Sequence, residues 1–305
     1  MWKFVFLSIN DLDNTLRFIF FNLFFWIAAF VSFGQKQKLY YWTEAYTRKA
    51  RFTDTVQIEI CEGYPILNGR LSDSGSYHKF ILSLGSSSFV RHSLLKSYGY
   101  KVGSSRHPDH HKLGPMDLKM SIIMDLHIGR INFEGIDVFI ADEALAEILE
   151  TCQVDGVLGC NFLGAAAWAI HPEKGIAVFS HNLDRIKSPQ ARLWNGRGKG
   201  SLWSPFVWFS WKIAQTKLII HPEFSINKNP EFFINSQTFQ SLQKKGVIIC
   251  KTDRDCIWMG ERRFHNSDSL KVTPSHKNIN ILRSLGARGD PIFIDLLNRK
   301  IYTHN

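Results

Sequence analysis

The sequence predicts a mainly β fold with a few short helices. Short apolar runs separated by turn residues dominate the chain, and aromatic residues reach 13%, with 24 Phe and 9 Trp, which is typical of β-rich cores. The 305 residues suffice for two domains. A hydrophobic fraction of 45% and a charged fraction of 21% exclude disordered, collagen-like and coiled-coil classes.

The predicted elements follow one another behind an apolar N-terminal segment. Strand-like runs lie at 56–61, 65–67, 78–82, 119–128, 136–140, 154–158, 169–179, 206–213 and 217–220. Helical patterns lie at 89–98, 142–150, 162–168 and 236–245. Ser236 is the expected N-cap of the last helix, and Gly246 follows its end.

The N-terminal segment, residues 1–34, is expected to direct export. An apolar block at 18–33, behind Lys3 and Arg17, has the length of a signal-peptide core and is short for a membrane helix. Ser32 and Gly34 are small residues at the positions that a signal peptidase reads, so we expect cleavage after residue 34. An uncleaved anchor is the alternative, and only then would the chain contact a membrane. In both cases the remainder is secreted or lies in the cell envelope, as a periplasmic protein would.

The charge balance bears on the class of partner. Thirty-seven Lys and Arg residues against 27 Asp and Glu residues give a net charge of +10, which favours acidic partners such as envelope polymers. The surplus is spread along the chain without a dense basic run, so no nucleic-acid partner is predicted.

Two lobes and an internal repeat are predicted for the exported part. Residues 35–182 form the first lobe and 206–305 the second, and a polar, basic, Gly-rich linker at 183–205 joins them. Several features recur in the same order in both lobes: an apolar pair before a short helix, a Leu-Gly dipeptide (Leu158-Gly159 and Leu285-Gly286), and a hairpin-like tail that ends in His-Asn.

Two motifs in the first lobe resemble those of a known family. Residues 78–90 read HKFILSLGSSSFV and precede a short helix, and residues 154–163 read VDGVLGCNFL. This pattern resembles a lobe of the aspartic peptidases, in the retropepsin-like and pepsin-like group, in which an apolar strand ends in Asp-Thr/Ser-Gly and an apolar-apolar-Gly strand crosses beneath that loop. The resemblance covers residues 56–182 and, weakly, 206–305. It implies two β-barrel lobes, the second divergent, and a hydrolase scaffold that uses no cofactor.

The chain departs from this family at the catalytic position. Ser83 stands where the family has its catalytic aspartate, and Leu84 stands where Thr or Ser follows. The expected counterpart in the second lobe, residues 218–223, also lacks aspartate. Aspartic peptidases need two adjacent carboxylates, one of which keeps a proton while the other activates water. A serine hydroxyl cannot replace that base, so we expect an inactive pseudoprotease.

The family resemblance implies that the cleft between the lobes persists as a binding site. An extended peptide or protein segment binds along such a cleft through backbone hydrogen bonds, which need no catalytic acid. The expected floor of the peptide-binding cleft consists of Ser83, Gly85, Ser86, Ser87 and His221.

Two alternatives to this function stay open. Asp73 begins an Asp-Ser-Gly-Ser string at 73–76, which would serve an active aspartic endopeptidase if it formed the catalytic loop. The residues before it do not form a buried strand, and Asp, Ser and Gly are ordinary turn residues, so a hairpin tip is favoured. The second alternative is an envelope structural or adhesion protein that uses its positive charge to bind acidic polymers.

The cysteines fit an oxidising compartment. Cys250 and Cys256 bracket a polar turn and form the candidate disulfide, Cys152 and Cys160 are a weaker second pair, and Cys61 is left over. No cysteine or histidine spacing matches a zinc site, so no metal is predicted. The histidines and the aspartate of the HPDHH string at 107–111 fit a solvated polar loop better than a metal site.

Overall fold

The computed structural model describes residues 45–72, 75–104, 119–141, 143–193, 209–213, 216–226, 228–229, 231–252, 255–258, 271–275, 280–286, 289–298 and 300–303. The predicted export segment 1–34 and the HPDHH string lie outside these residues. Residues 43–305 form one compact unit.

The described part is mainly β, as predicted. Its strands are β1 (Tyr46–Thr47), β2 (Thr53–Cys61), β3 (Tyr64–Arg70), β4 (Tyr77–Leu82), β5 (Phe89–Val90), β6 (Gly103–Ser104), β7 (Lys119–Ile123), β8 (Leu126–Ile128), β9 (Ile131–Glu134), β10 (Ile136–Ile140), β11 (Gly156–Leu158), β12 (Ala167–His171), β13 (Ile176–Ser180), β14 (Arg192–Leu193), β15 (Phe209–Ile213), β16 (Thr216–Phe224), β17 (Glu231–Asn235), β18 (Ile248–Thr252), β19 (Asp255–Trp258), β20 (Lys271–Ser275), β21 (Asn280–Leu285), β22 (Ile292–Asp295) and β23 (Lys300–Thr303). The α-helices are α1 (His92–Ser97), α2 (Glu143–Thr151), α3 (Cys160–Leu163) and α4 (Ser236–Lys244), and 3-10 turns lie at Pro172–Lys174 and Leu183–Arg185.

The same strand arrangement occurs twice along the chain. In the first lobe (β1–β13), neighbouring strands follow the order β3-β4-β11-β5-β10-β7-β6, and in the second lobe (β15–β23) the order is β15-β16-β21-β17-β20-β19-β18. The direction of every pairing agrees: β11 is parallel to β4 and antiparallel to β5, as β21 is to β16 and β17. The repeat predicted from the sequence is therefore a duplicated sheet topology.

The two lobes share a sheet through their last hairpins. Both predicted hairpin tails are confirmed: β12 pairs with β13 and β22 pairs with β23. β12 also pairs antiparallel with β22, which places Trp168 opposite Ile294. The resulting order β14-β23-β22-β12-β13-β2 contains strands of both lobes. β14 belongs to the stretch predicted as linker.

The hydrophobic core crosses the boundary between the lobes. Its centre is an aromatic cluster of the first lobe, in which Trp168 stacks on Phe179 with ring centroids 4.9 Å apart and Phe133 lies against Phe162 at 4.9 Å. Phe224 of the second lobe packs in this same core. A separate core of the second lobe contains Leu218, Ile220, Phe232, Ile234, Phe239, Leu242, Val247, Ile248, Val272 and Leu282.

Several element boundaries differ from the sequence-based prediction. The helix expected at 89–98 begins only at His92, because the buried pair Phe89–Val90 is extended and pairs with β10 and β11. The helix expected at 162–168 is Cys160–Leu163, since Ala167 already begins β12. The predicted strand 119–128 is broken into β7 and β8.

The N-cap of α4 also differs by one position. The side chain of Asn235, not Ser236, caps this helix by accepting hydrogen bonds from the N–H groups of Gln237 and Thr238.

Candidate functional site

The loop that follows β4 lies where the two lobes meet. β4 ends at Leu82, and the N–H of Ser83 donates to the carbonyl oxygen of Leu158 on the parallel strand β11 at 3.1 Å. This bond extends the ladder by one residue. Ser83 is consequently held at the end of the sheet, where it is 5% exposed.

Two residues after β11 fix the conformation of this loop. The amide oxygen of Asn161 accepts hydrogen bonds from the N–H and the hydroxyl of Ser88, both at 2.8 Å. A Cβ atom on Gly159 would lie 2.2 Å from the carbonyl oxygen of Ser86, so only glycine permits this close approach of two backbones. The apolar-apolar-Gly motif therefore serves as the support of the loop.

A carboxylate from the second lobe reaches into this loop. Glu223, on β16, is 4% exposed and accepts hydrogen bonds on both oxygens. Oε2 accepts from the Ser83 hydroxyl at 2.7 Å and the Gly85 N–H at 2.8 Å, and Oε1 accepts from the Leu84 N–H at 3.0 Å and its neighbour Phe224 N–H at 2.9 Å. Three of these donors belong to the first lobe, so Glu223 bridges the two lobes.

The surroundings of Glu223 act on its pKa in opposite directions. Burial raises the pKa of the carboxyl above its ordinary value, and the hydrogen bonds from Ser83 and the three backbone N–H groups counteract this rise. Gly85 leaves room for the carboxylate, because a Cβ at that position would lie 2.7 Å from Oε2.

A chain of hydroxyl groups leads from this carboxylate towards the surface. Ser86 Oγ donates to Ser83 Oγ at 2.9 Å, and Ser83 Oγ donates to Glu223. Ser86 and Ser87 are half-buried, whereas Ser83 and Glu223 are buried. The loop thus has an accessible side at 85–87 and a closed side that faces the second lobe.

These hydrogen bonds join the two lobes around a single acid. Within the described part of the chain, Glu223 is the one carboxylate that contacts the 83–88 loop, so no second acid is at hand to share a proton with it. Its oxygens already receive four hydrogen bonds, which satisfies them without a water molecule.

The second lobe has its own counterpart of Ser83, at a different position from the one expected. The sequence comparison placed it in the stretch 218–223, but Ser225 is the residue whose N–H donates to Leu285 after the end of β16, at 2.9 Å, as Ser83 donates to Leu158. The pairing of β16 with β21 skips Ser284, so Phe224 lies opposite Leu285 as Leu82 lies opposite Leu158. Both equivalent positions are therefore serine.

The structure brings some of the predicted site residues together. Ser83, Gly85 and Ser86 gather around Glu223, and Ser87 follows in the same loop. His221 lies in β16 opposite Ile281, two residues before Glu223, and its side chain is outside the described part. Asp73 is also outside it, between the paired residues Arg70 and Tyr77 that end the β3–β4 ladder.

Glu223 itself is the functional residue that sequence reasoning missed. The available signal was an acidic residue three positions after the apolar run at 218–220. A buried acid needs hydrogen-bond donors. Three of the four donors to Glu223 lie about 140 positions away, and the sequence alone does not reveal them.

The cysteine pairing differs in part from the prediction. A disulfide joins Cys61 to Cys152, and Cys160 is a free, buried thiol, so the predicted Cys152–Cys160 pair is wrong. Cys250 is disulfide-bonded and lies directly opposite Cys256 in the β18–β19 ladder. Cys61 and Cys152 meet because β2 and the end of α2 lie side by side, at a Cα–Cα distance of 5.8 Å.

Two other kinds of site are absent from the residues that the structure describes. Among them, no cluster of three or more His, Cys, Asp or Glu side chains offers a metal site, and no helix has the length and apolar character needed to cross a membrane. No family model and no curated protein matches this chain.

Proposed function

We propose that this chain is an exported, aspartic-peptidase-like protein without peptidase activity, whose interlobe cleft binds an extended peptide. The observation that carries the proposal is the Ser83–Glu223 contact. The family's chemistry needs two carboxylates that share a proton, and here a serine faces a single, fully hydrogen-bonded glutamate.

The duplicated topology supports the family resemblance. In each lobe an inner strand, β11 or β21, lies between two strands that are joined by the loop carrying Ser83 or Ser225. The resemblance leads us to expect this arrangement, with one catalytic loop in each lobe. Serine at both equivalent positions fits a peptidase scaffold that has lost its two acids.

The accessible side of the loop supports peptide binding. Ser86 and Ser87 are half-buried and lie beside the junction of the lobes. Strand-like binding uses backbone hydrogen bonds and small side chains that allow close approach. The small side chains of Ser86 and Ser87 allow such a close approach, while Ser88 is buried and held by Asn161.

A cleavage assay tests the loss of activity. The full chain, purified in mild detergent, is incubated with an unfolded protein from about pH 3 to 7, the range over which carboxylate dyads work. We expect no fragments by mass spectrometry. Pepstatin-sensitive cleavage that disappears in Asp73→Ala would overturn the proposal in favour of an active endopeptidase.

A binding assay tests the cleft. A pool of short fluorescent peptides is titrated against the full chain, and bound peptides are read by fluorescence anisotropy. Ser87→Trp should weaken binding at least about tenfold by filling the cleft, whereas Ser93→Trp, at an exposed position of α1, should not. Equal binding by both variants would exclude this cleft, and salt-sensitive binding to a polyanion alone would favour the adhesion alternative.

A further inference from the structure

A second contact between the lobes lies at the turn between β2 and β3. The carbonyl oxygen of Gly63 accepts a hydrogen bond from the N–H of Ile226 at 3.0 Å, and that of Glu62 accepts one from Arg283 Nη2 at 2.8 Å. The Glu62 carboxylate also pairs with Lys228 Nζ. Two residues of the first lobe thereby contact three of the second.

This turn touches the segment that carries Glu223. An added Cβ on Gly63 would lie 3.2 Å from the Cα of Ser225, so the turn packs directly on the second-lobe backbone. Glu223 and Ile226 are three residues apart. The segment 223–226 is consequently held from two sides, by the loop at 83–85 and by the turn at 62–63.

The Cys61–Cys152 disulfide borders this turn. Cys61 ends β2 and immediately precedes Glu62. Among the described residues, the non-glycine residues with positive φ are Glu62, at 51°, and Gln153, at 50°, and each directly follows one cysteine of this bond. Each conformation has a local cause: Glu62 and Gly63 form the two-residue turn of the β2–β3 hairpin, which needs positive φ at both positions, and Gln153 follows the C-terminus of α2. The disulfide ties the start of that turn to the end of this helix.

We infer that the Cys61–Cys152 disulfide is a redox-controlled latch that keeps the turn at 62–63 locked against the second lobe. With the bond formed, the turn presses the segment 223–226 towards the Ser83 loop. With the bond reduced, the start of the turn is no longer tied to the end of α2, the contacts of Glu62 with Lys228 and Arg283 loosen, and the junction at Glu223 opens more often.

The chemistry requires a dithiol reductant. Its thiolate attacks the Cys61 sulfur, which is the more accessible because Cys61 is half-buried and Cys152 is 8% exposed. The S–S bond breaks, Cys152 leaves as a thiolate and takes up a proton, and a mixed disulfide forms on Cys61. The second thiol of the reductant then displaces Cys61, so the reductant ends as a disulfide. This latch concerns the junction alone and stands whether or not the cleft binds a peptide.

Hydrogen exchange of backbone amides tests the latch. The reporters are the amides of Leu84 and Gly85, which donate to Glu223, and of Ile226, which donates to Gly63. In the full chain, dithiothreitol should accelerate exchange at these amides by at least about tenfold, while the amides of β12 stay protected. The Cys61→Ser/Cys152→Ser variant should exchange rapidly at the same amides without reductant, and dithiothreitol should add nothing.

Three further variants separate a latch from a general loss of stability. The Cys250→Ser/Cys256→Ser variant lacks the candidate disulfide of the second lobe. Hydrogen exchange at the reporter amides should stay slow in this variant. Lys228→Ala, which keeps the Cys61–Cys152 bond, should accelerate them, whereas Lys79→Ala, which breaks an ion pair within the first lobe, should not. Unchanged exchange on reduction, or equal acceleration in β12, would overturn the inference.

Discussion

The hydroxyl of Ser83 donates to the carboxylate of Glu223 at 2.7 Å, although the two residues belong to different lobes. The contact joins one acid and one hydroxyl at the junction of the lobes, and neither of the two equivalent loop positions, Ser83 and Ser225, is an acid. A single carboxylate that accepts four hydrogen bonds holds the lobes together, which gives this position a structural role that can be measured as stability.

Removing the Glu223 carboxylate should destabilise the protein strongly. Glu223→Ala leaves the Ser83 hydroxyl and three backbone N–H groups without an acceptor in a buried site, which should cost about 3–5 kcal/mol in urea unfolding. Glu59→Ala, which removes an exposed partner of Lys79, should change stability by less than about 1 kcal/mol. A cost below about 1 kcal/mol for Glu223→Ala would show that the bridge contributes little.

A second carboxylate at the junction should strengthen the dependence of stability on pH. In Ser83→Asp, two acids lie within hydrogen-bond distance, so one binds a proton and the pKa of the pair rises. The folded variant then holds more protons than the unfolded chain, and its stability falls as pH rises from about 4 to 7. We expect a melting temperature that increases on acidification. Ser87→Asp, in the half-buried part of the loop, should show a much weaker trend, and parallel trends in both variants would contradict the proximity of residues 83 and 223.

The support beneath the loop should not tolerate a methyl group. In Gly159→Ala, the new Cβ would lie 2.2 Å from the Ser86 carbonyl oxygen. The atoms nearest to this Cβ belong to the backbone of Ser86 and Ser87, which cannot move aside as a flexible side chain could. We expect the free energy of unfolding to fall by about 3 kcal/mol, which is the upper end of the usual cost of overpacking. Gly103→Ala, where a Cβ would meet nothing within 4 Å, is the matched control and should be near neutral. Comparable midpoints of thermal unfolding for the two variants would disprove the close approach.

Asp137 should contribute a pH dependence of its own. Burial raises the pKa of this half-buried carboxyl on β10 to about 6, from an ordinary value of 3.8. The folded state therefore binds the proton more tightly than the unfolded state, and stability is lost as pH rises from about 4 to about 6. After allowance for partial solvent screening, the loss is about 1–2 kcal/mol. Asp137→Asn should flatten urea-unfolding stability over this range, while Asp184→Asn, at an exposed site, should keep the wild-type profile.

Much of the fold was predictable because it depends on local patterns that repeat. The Leu-Gly dipeptides Leu158-Gly159 and Leu285-Gly286 end equivalent strands, β11 and β21, and the two tails form hairpins that pair with each other. The apolar pair Phe89–Val90 shows the limit of this reasoning. It precedes a helix, as expected, but tertiary pairing with β10 and β11 makes the pair itself extended.

Only the part of the site that lies in the first lobe was predictable from the sequence. Ser83 and its neighbours are contiguous in the sequence, so a single motif identified them. The partner Glu223 and the Cys61–Cys152 bond depend on contacts between residues 140 and 91 positions apart, respectively. No local spacing encodes such contacts, nor does any identify Ser225 as the residue equivalent to Ser83.

Strands β12 and β22 pair with each other, so each lobe contributes a strand edge that the other lobe covers. A fragment ending at Asn182 would present the backbone donors and acceptors of β12 to solvent, and antiparallel self-pairing has two-fold symmetry. Two such fragments would satisfy each other by joining β12 to β12 as a homodimer. The full chain thus carries both partners of this pairing in one covalent chain.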